Sequence, residues 1–210
     1  MNAHAPNLKF FHNGFHYIKL YQFTGHSNKY KGAAYFANFC SLQDYRFNAC
    51  DFPAEGAPLV RVDGGSSRQG SVANGLAAVH PDAMFVAVHD GARPMVTTAI
   101  ISECYERARE FGAASAARRV TESLKRSGPD GFSRSAVGRE NLWVTETPQI
   151  FRARILRRAY QMVADQHTKV TDEVSAVELL GISTFLVQSR SPNPKITHPW
   201  DLDQAASLLK

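Results

Sequence analysis

The chain has 210 residues and a mass of 23.2 kDa, which suits one α/β domain. Hydrophobic residues make up 44% and charged residues 20%, and this composition excludes wholesale disorder. The net charge is +5, and no apolar run approaches the roughly 18 residues of a membrane-spanning helix. The first residues lack a charged segment followed by an apolar one, so we expect no secretory signal.

The positive charge and the aromatic residues are concentrated at the beginning of the chain. Residues 1–50 carry five basic residues and one acidic residue (+4), whereas the remainder carries 19 basic and 18 acidic residues (+1). Seven of 13 Phe and five of seven Tyr also precede residue 51. We therefore interpret residues 1–51 as an atypical leader and residues 52–210 as the main domain. A near-neutral main domain gives no reason to expect nucleic acid or a membrane as partner.

The leader has little regular pattern. Residues 15–21 could form one short strand. The histidines and cysteines of this region follow no compact zinc-binding spacing, and its lysines and aromatic residues match no recognised module that binds single-stranded nucleic acid. We interpret these side chains as surface or core residues; the candidate zinc ligands were His12, His16, His26, Cys40 and Cys50.

The cysteines indicate the compartment. Cys40, Cys50 and Cys104 are odd in number and form no C-x-x-C pair. This usage is typical of a reducing environment rather than of a disulfide-stabilised secreted domain, so we expect a cytoplasmic protein.

Regular patterning begins near residue 58. The apolar periodicity predicts strands over 58–62, 83–89, 113–120 and 184–187, and helices over 71–80, 97–111, 152–166, 171–180 and 199–209. Residues 121–142 are polar with a Pro-Asp-Gly turn, which predicts a hairpin arm projecting from the core. Alternating strands and helices predict an α/β fold with a mostly parallel sheet, in which ligands bind at the carboxyl ends of strands.

Four polar stretches lie where such a sheet would bind a ligand. They are residues 64–71 (a Gly-rich turn before a helix), 89–94 (after the apolar strand), 139–149, and 171–175 together with 193–197. The Gly-rich turn could hold a phosphate or a base edge, and Asp90 could bind a divalent cation or a ribose hydroxyl. Each stretch also has a purely structural interpretation, as a turn, a braced loop, a helix cap or a surface charge.

The motifs in these stretches resemble one family. R-Q-x-S-V-x-x-G-L, V-H-D-x-A-R-P, R-x-x-L-W-x-x-x-T-P-Q-x-F, T-D-E-x-S-A-x-E and K-I-T-x-P-x-D-L follow one another between about residues 53 and 210. Their order and gaps resemble those of 2-C-methyl-D-erythritol 4-phosphate cytidylyltransferases. The resemblance implies a three-layer, Rossmann-like nucleotidyltransferase fold. It also implies transfer of a cytidylyl group from CTP to methylerythritol phosphate, with release of pyrophosphate, in non-mevalonate isoprenoid biosynthesis.

The resemblance also implies roles for individual residues. Residues 121–145 would be the arm that joins two chains into a homodimer and reaches into the neighbour's site, and Mg²⁺ would be required. CTP would bind at Gly64, Gly65, Arg68, Ser71 and Asp90, and Asp90 would also hold the metal. The methylerythritol phosphate would be bound by Ser123 (where the family usually has Thr), Arg139, Thr147, Thr171 and Lys195; of these, Arg139 and Lys195 would have the catalytic task of positioning it.

Two alternatives stay open on the sequence alone. A polyol-phosphate cytidylyltransferase, such as one using ribitol 5-phosphate, shares the fold and most motifs, although T-D-E-x-S and R-x-x-L-W favour the methylerythritol enzyme. A catalytically dead homologue that binds a sugar phosphate or has a regulatory role is the alternative of another class.

One motif that the family requires is absent. Its members begin with a strand and a G-x-G-x-R-x-G loop followed by Pro-Lys, which surround the triphosphate and stabilise its developing charge. Residues 1–60 contain no such pattern. We expect the leader to supply a replacement strand or to leave part of the core exposed. We also expect CTP binding to be weak and turnover to be far below that of a typical member. The leader could also be an artefact of a misassembled gene.

Overall fold

The computed structural model describes residues 16–23, 34–39 and 59–208, with side chains from Val62 onward. The strands are β1 His16–Phe23, β2 Ala34–Phe39, β3 Leu59–Val62, β4 Phe85–Asp90, β5 Ala113–Arg119, β6 Leu124–Ser127, β7 Ser133–Val137, β8 Trp143–Arg152 and β9 Phe185–Gln188. The helices are α1 Arg68–Ala78, α2 Thr98–Phe111, α3 Ala153–Asp165, α4 Glu173–Glu178 and α5 Pro199–Leu208.

Seven of the described strands form one sheet in the order β3-β2-β1-β4-β8-β5-β9. Five of these strands run in the same direction: β2, β3, β4, β5 and β9. The other two, β1 and β8, are antiparallel to their neighbours. The predicted α/β fold with mostly parallel strands is therefore confirmed.

Strand β8 was not predicted from the sequence. Its ten residues lie between β4 and β5 and are antiparallel to both. The segment contains Pro148, which cannot donate to a sheet ladder, and the polar residues Thr145 and Glu146. These residues mask the strand pattern, which is why the sequence suggested only a polar site loop.

The core lies on both faces of β4, whose six residues are all buried. Val86 and Val88 belong to a cluster shared with α1, α3 and α4, whereas Phe85 and Ala87 belong to a cluster shared with α2. Because side chains alternate along a strand, helices must cover both faces of the sheet. The result is the predicted three-layer arrangement.

The arm is a separate two-stranded hairpin formed by β6 and β7. Asp130 and Arg134 form an ion pair at its turn, and Phe132 at the tip is 70% exposed. The predicted hairpin is thus present, but it occupies residues 124–137. Residues 143–145, which were assigned to the arm, belong to β8 in the main sheet because they pair with β5.

The leader supplies a central strand, as expected from residues 15–21. Strand β1 lies between β2 and β4 and is antiparallel to both. Ile18 pairs with Asp90 at one end, and Phe23 pairs with Phe85 at the other. The chain therefore enters β1 at the edge of the sheet that carries Asp90 and leaves it at the opposite edge.

Of the three cysteines, the structure describes the side chain of Cys104. It is a free thiol buried in α2, and burial raises its pKa to about 12. Cys40 and Cys50, like the side chains of the candidate zinc ligands, lie outside the described residues. None of the helices in the described part of the chain is long and apolar enough to cross a membrane.

The central position of β1 predicts that the leader stabilises the fold. Leu20→Pro should lower the free energy of unfolding by about 1–3 kcal/mol, because it removes a ladder donor and leaves a buried carbonyl without its partner. Leu20→Val keeps the N–H and is the matched control. The measurement is the urea midpoint of each variant; equal midpoints for the two would contradict a structural role for β1.

Candidate functional site

Asp90, the last residue of β4, is the centre of a cluster of charged side chains. Arg68 Nε lies 3.2 Å from its Oδ1, and Lys195 Nζ lies 2.9 Å from its Oδ2. Arg93 Nε is 3.8 Å from Oδ2, and Arg93 Nη1 donates to the backbone carbonyl of Asn193 at 2.7 Å. Three cations from three different segments thus converge on one buried carboxylate at the carboxyl end of a central strand.

These cations keep Asp90 ionised. Burial alone would raise the pKa of Asp90, but the charges of Arg68, Lys195 and Arg93 outweigh that effect and lower it. A carboxylate in this position is therefore negative at neutral pH.

Arg68 also binds a second buried carboxylate, that of Glu173. Its Nη1 and Nη2 donate to Glu173 Oε1 and Oε2 at 2.7 and 2.8 Å. The hydroxyl of Tyr160 donates to the same Oε1 at 3.0 Å. Burial lowers the pKa of Arg68 by itself, but Glu173 and Asp90 together raise it above its ordinary value. Arg68 therefore links the two buried carboxylates of Asp90 and Glu173.

Polar side chains of β8 hold the backbones of Asp90 and Glu173. Thr147 Oγ1 accepts from the backbone N–H of Asp90 at 3.0 Å, and Gln149 Oε1 accepts from the backbone N–H of Glu173 at 3.1 Å. Thr145 Oγ1 and Gln149 Nε2 both donate to Asp172 Oδ2, at 3.1 and 3.0 Å. Three polar residues of one strand therefore support Asp90 and the beginning of α4.

His89 fixes the orientation of the Thr147 hydroxyl. Its Nε2 lies 3.1 Å from the carbonyl of Arg93, and its Nδ1 lies 2.9 Å from Thr147 Oγ1. Because a carbonyl only accepts, a neutral His89 carries its proton on Nε2 and accepts from Thr147 at Nδ1. The hydroxyl thus donates to His89 while it accepts from Asp90.

The Gly-rich turn is packed directly against the beginning of α1. The Gly65 N–H donates to Ser71 Oγ at 3.0 Å, and Ser71 donates to the Ser67 carbonyl. A Cβ on Gly65 would lie 2.5 Å from the carbonyl carbon of Gly70. The turn therefore requires glycine at position 65, and Ser67 caps the helix by accepting from the Gly70 N–H.

The structure brings together some of the predicted site residues and leaves others apart. Arg68, Asp90 and Lys195 are in contact, and Thr147 joins them through the Asp90 amide. Gly64 and Gly65 lie in the turn before α1, the helix that carries Arg68 and Ser71. The turn packs on this helix through the bond from the Gly65 N–H to Ser71. Three predicted residues are exposed and make no hydrogen bond or ion pair to Asp90 in the described chain: Ser123, Arg139 and Thr171.

Sequence reasoning missed the residues that support the cluster. Glu173, Gln149 and Tyr160 received no role, although the first two lie inside the quoted motifs. No spacing rule could pair Arg68 with Glu173 across 105 positions. Their chemistry could have indicated a structural role, since a Glu and a Gln in otherwise buried segments need polar partners.

A divalent cation at Asp90 is compatible with these residues. No group of three or more His, Cys, Asp or Glu side chains that could hold a metal occurs in the described part of the chain. A metal here would have Asp90 as its protein carboxylate and would take its other ligands from substrate phosphates and water. Mg²⁺ commonly binds in this way, so the donor set fits that ion.

Comparison with known proteins identifies the family. The sequence model of the family 2-C-methyl-D-erythritol 4-phosphate cytidylyltransferase matches residues 42–210, or 169 of 210 residues. The chain belongs to this family. The three-layer α/β fold described above is thus the fold of a cytidylyltransferase family.

Individual relatives agree with this assignment. The chain is similar to a 2-C-methyl-D-erythritol 4-phosphate cytidylyltransferase of Pelotomaculum thermopropionicum, at 41% identity over 149 residues, which cover 71% of this chain and 63% of that protein. The chain thus spans less than two thirds of the length of that relative.

Two crystal structures of proteins with the same name, from Thermus thermophilus and Francisella tularensis, give TM-scores of 0.66 and 0.68. Their identities are 34% and 31%, and each comparison covers 75% of this chain; it covers 76% of the Thermus chain and 75% of the Francisella chain.

The hydrogen bonds to Asp172 predict a pH-dependent contribution to stability. Burial would raise the pKa of Asp172, but hydrogen bonds from Ser175, Gln149 and Thr145 lower it. The carboxylate therefore stabilises the fold above its unfolded-state pKa of about 3.9, and this contribution is lost as the pH falls through the lower folded-state value.

Asp172→Asn should thus be destabilised relative to the natural chain at pH 7, and the difference should narrow below about pH 4. Urea unfolding at several pH values measures it. Asp203→Asn, on an exposed position of α5, is the control. A difference that is independent of pH would refute this assignment.

Proposed function

We propose that this chain transfers a cytidylyl group from CTP to 2-C-methyl-D-erythritol 4-phosphate and releases pyrophosphate. The observation that carries the proposal is the convergence of Arg68, Arg93 and Lys195 on Asp90, at the ligand edge of a sheet of this family. The relatives with this name support the choice of methylerythritol phosphate over ribitol 5-phosphate as acceptor.

The reaction joins two anions, so its main difficulty is electrostatic. A phosphate oxygen of the acceptor bonds to the α-phosphorus of CTP, and the bond from that phosphorus to the bridging oxygen of the β-phosphate breaks. The acceptor phosphate is already an anion and needs no general base. Positioning and charge stabilisation by cations therefore account for most of the catalysis.

Lys195 is well placed for this task. Its side chain is 29% exposed although its Nζ contacts the buried Asp90, so the side chain can face a ligand while the carboxylate holds it. Arg68 is more constrained because all three of its donor nitrogens already face carboxylates. We assign Lys195 to the reacting phosphates and Arg68 to the wall of the nucleotide site beside Gly65 and Ser71.

Asp90 would hold Mg²⁺, which supplies charge neutralisation to the triphosphate when it is bound.

The arm would form a homodimer. A two-stranded hairpin is marginally stable in water by itself, and most residues of β6 and β7 are exposed. Arg139 donates only to the Thr121 carbonyl at the base of the arm. Its proposed role in holding the acceptor phosphate, with Ser123 and Thr171, therefore requires the arm to dock against a second chain. We also propose a cytoplasmic location, on the basis of cysteine usage.

Turnover is proposed to be low because the triphosphate loop has no counterpart. In the family this loop follows the first strand, where its amides surround the phosphates. Here β1 is antiparallel to β4 and ends at Phe23, which pairs with Phe85 at the edge of the sheet opposite Asp90. The direction of β1, and not only the missing glycines, supports a defect in triphosphate binding.

The role of Lys195 is tested by substitution. Lys195→Ala should reduce the rate of pyrophosphate release from CTP and methylerythritol phosphate by on the order of 10²–10³, because it removes one charge-stabilising group. Lys169→Ala, an exposed lysine in the loop before α4, is the matched control. Retention of the full rate by Lys195→Ala would exclude this residue from the machinery.

The effect of the missing loop is tested on the unmodified chain. Its steady-state rate should be lower than that of the Thermus thermophilus enzyme by at least about 10², since more than one phosphate-binding group is absent. Ribitol 5-phosphate serves as the alternative acceptor in the same assay. A rate equal to that of the Thermus enzyme would show that another segment supplies these groups.

A further inference from the structure

We propose that Glu173, together with Tyr160, is a positioning residue that holds Arg68 in the orientation needed by the nucleotide site. The proposal rests on the proposed function only for the identity of the nucleotide. The positioning itself follows from the geometry around Arg68.

Glu173 fixes the plane of the Arg68 guanidinium. Arg68 bonds Glu173 through both terminal nitrogens at 2.7 and 2.8 Å, a bidentate geometry that fixes the plane of the group. Once that plane is fixed, Nε can point in only one direction, and there it donates to Asp90 Oδ1 at 3.2 Å. The carboxylate of Glu173 therefore orients the ion pair between Arg68 and Asp90, although Glu173 does not contact Asp90 through its own side chain.

Glu173 is itself held rigidly by its surroundings. The residue is completely buried, so it has no surface with which to contact a substrate. Its Oε1 also accepts from the Tyr160 hydroxyl at 3.0 Å, and its backbone N–H donates to Gln149 at 3.1 Å. Glu173 is thus held by both its side chain and its backbone.

Strand β8 supports both residues that bind Arg68. Gln149 holds the backbone of Glu173, and Thr147, two residues earlier in β8, holds the backbone of Asp90. The backbones of the two residues that bind Arg68 are therefore both held by side chains of β8, two positions apart in that strand.

The decisive experiment compares Glu173→Gln with Glu178→Gln, an exposed glutamate in the same helix. Glutamine keeps the size of Glu173 but cannot accept both nitrogens of Arg68. In the ligand-free protein, the Arg68 Nε–H signal in ¹⁵N NMR should exchange with water on the order of tenfold faster in Glu173→Gln, and should be unchanged in Glu178→Gln. Unchanged exchange in Glu173→Gln would overturn the proposal, whatever the affinity for CTP.

Nucleotide binding provides the second readout, by titration calorimetry with CTP and Mg²⁺. Glu173→Gln should weaken binding on the order of tenfold, and it should have no further effect in an Arg68→Ala background, because its influence passes through Arg68. Additive losses would indicate a merely structural role and would contradict positioning. If the natural chain binds no CTP, the proposed function fails while the NMR comparison still decides the positioning.

Tyr160→Phe keeps the proposal testable if Glu173→Gln does not fold. It removes only the hydroxyl that donates to Glu173 Oε1. We expect a few-fold faster exchange of the Arg68 Nε–H, with a smaller effect on CTP affinity than that of Glu173→Gln. No change in either quantity would remove Tyr160 from the positioning pair.

Discussion

The buried carboxylate of Asp90 imposes the constraint on which the site depends. A charge removed from water must be neutralised at close range, and here the neutralising groups come from Arg68, Arg93 and Lys195. The beginning of α1, the loop after β4 and the segment before α5 must therefore meet at one point. Removing one partner of such a buried ion pair typically costs about 3–5 kcal/mol, so the ligand site and the tertiary fold share the same interactions.

The direction of β8 determines how this point is built. Because β8 is antiparallel to β4, its amino-terminal half, and not its carboxyl end, lies beside Asp90. Thr145, Thr147 and Gln149 thereby lie close to the Asp90 cluster, whereas Phe151, further along the strand, packs in the core with α1 and α3. One strand thus changes along its length from a hydrophobic core surface to a polar support for the site.

Much of the fold followed from apolar periodicity, and most element boundaries lie within a few residues of those observed. The exceptions have physical causes. Strand β8 combines Pro148 with residues that hydrogen-bond around Asp90 and Asp172. Helix α1 begins at Arg68, three residues before the predicted start at Ser71, because Ser67 caps it. The Asp90 cluster was partly predicted because strand ends are expected to carry ligand-binding residues. The supporting pair Glu173 and Tyr160 was not, since their roles depend on contacts distant in sequence.

The strand contributed by the leader has a consequence for solubility. Strand β4 is apolar over most of its length, and without β1 its backbone N–H and C=O groups would form an unpaired sheet edge beside a hydrophobic core. Such an edge is a template for pairing with another chain. Strand β1 covers this edge by antiparallel pairing along the whole of β4 from Phe85 to Asp90. In this chain the leader would thus act first as protection against edge-to-edge aggregation, whatever it contributes to catalysis.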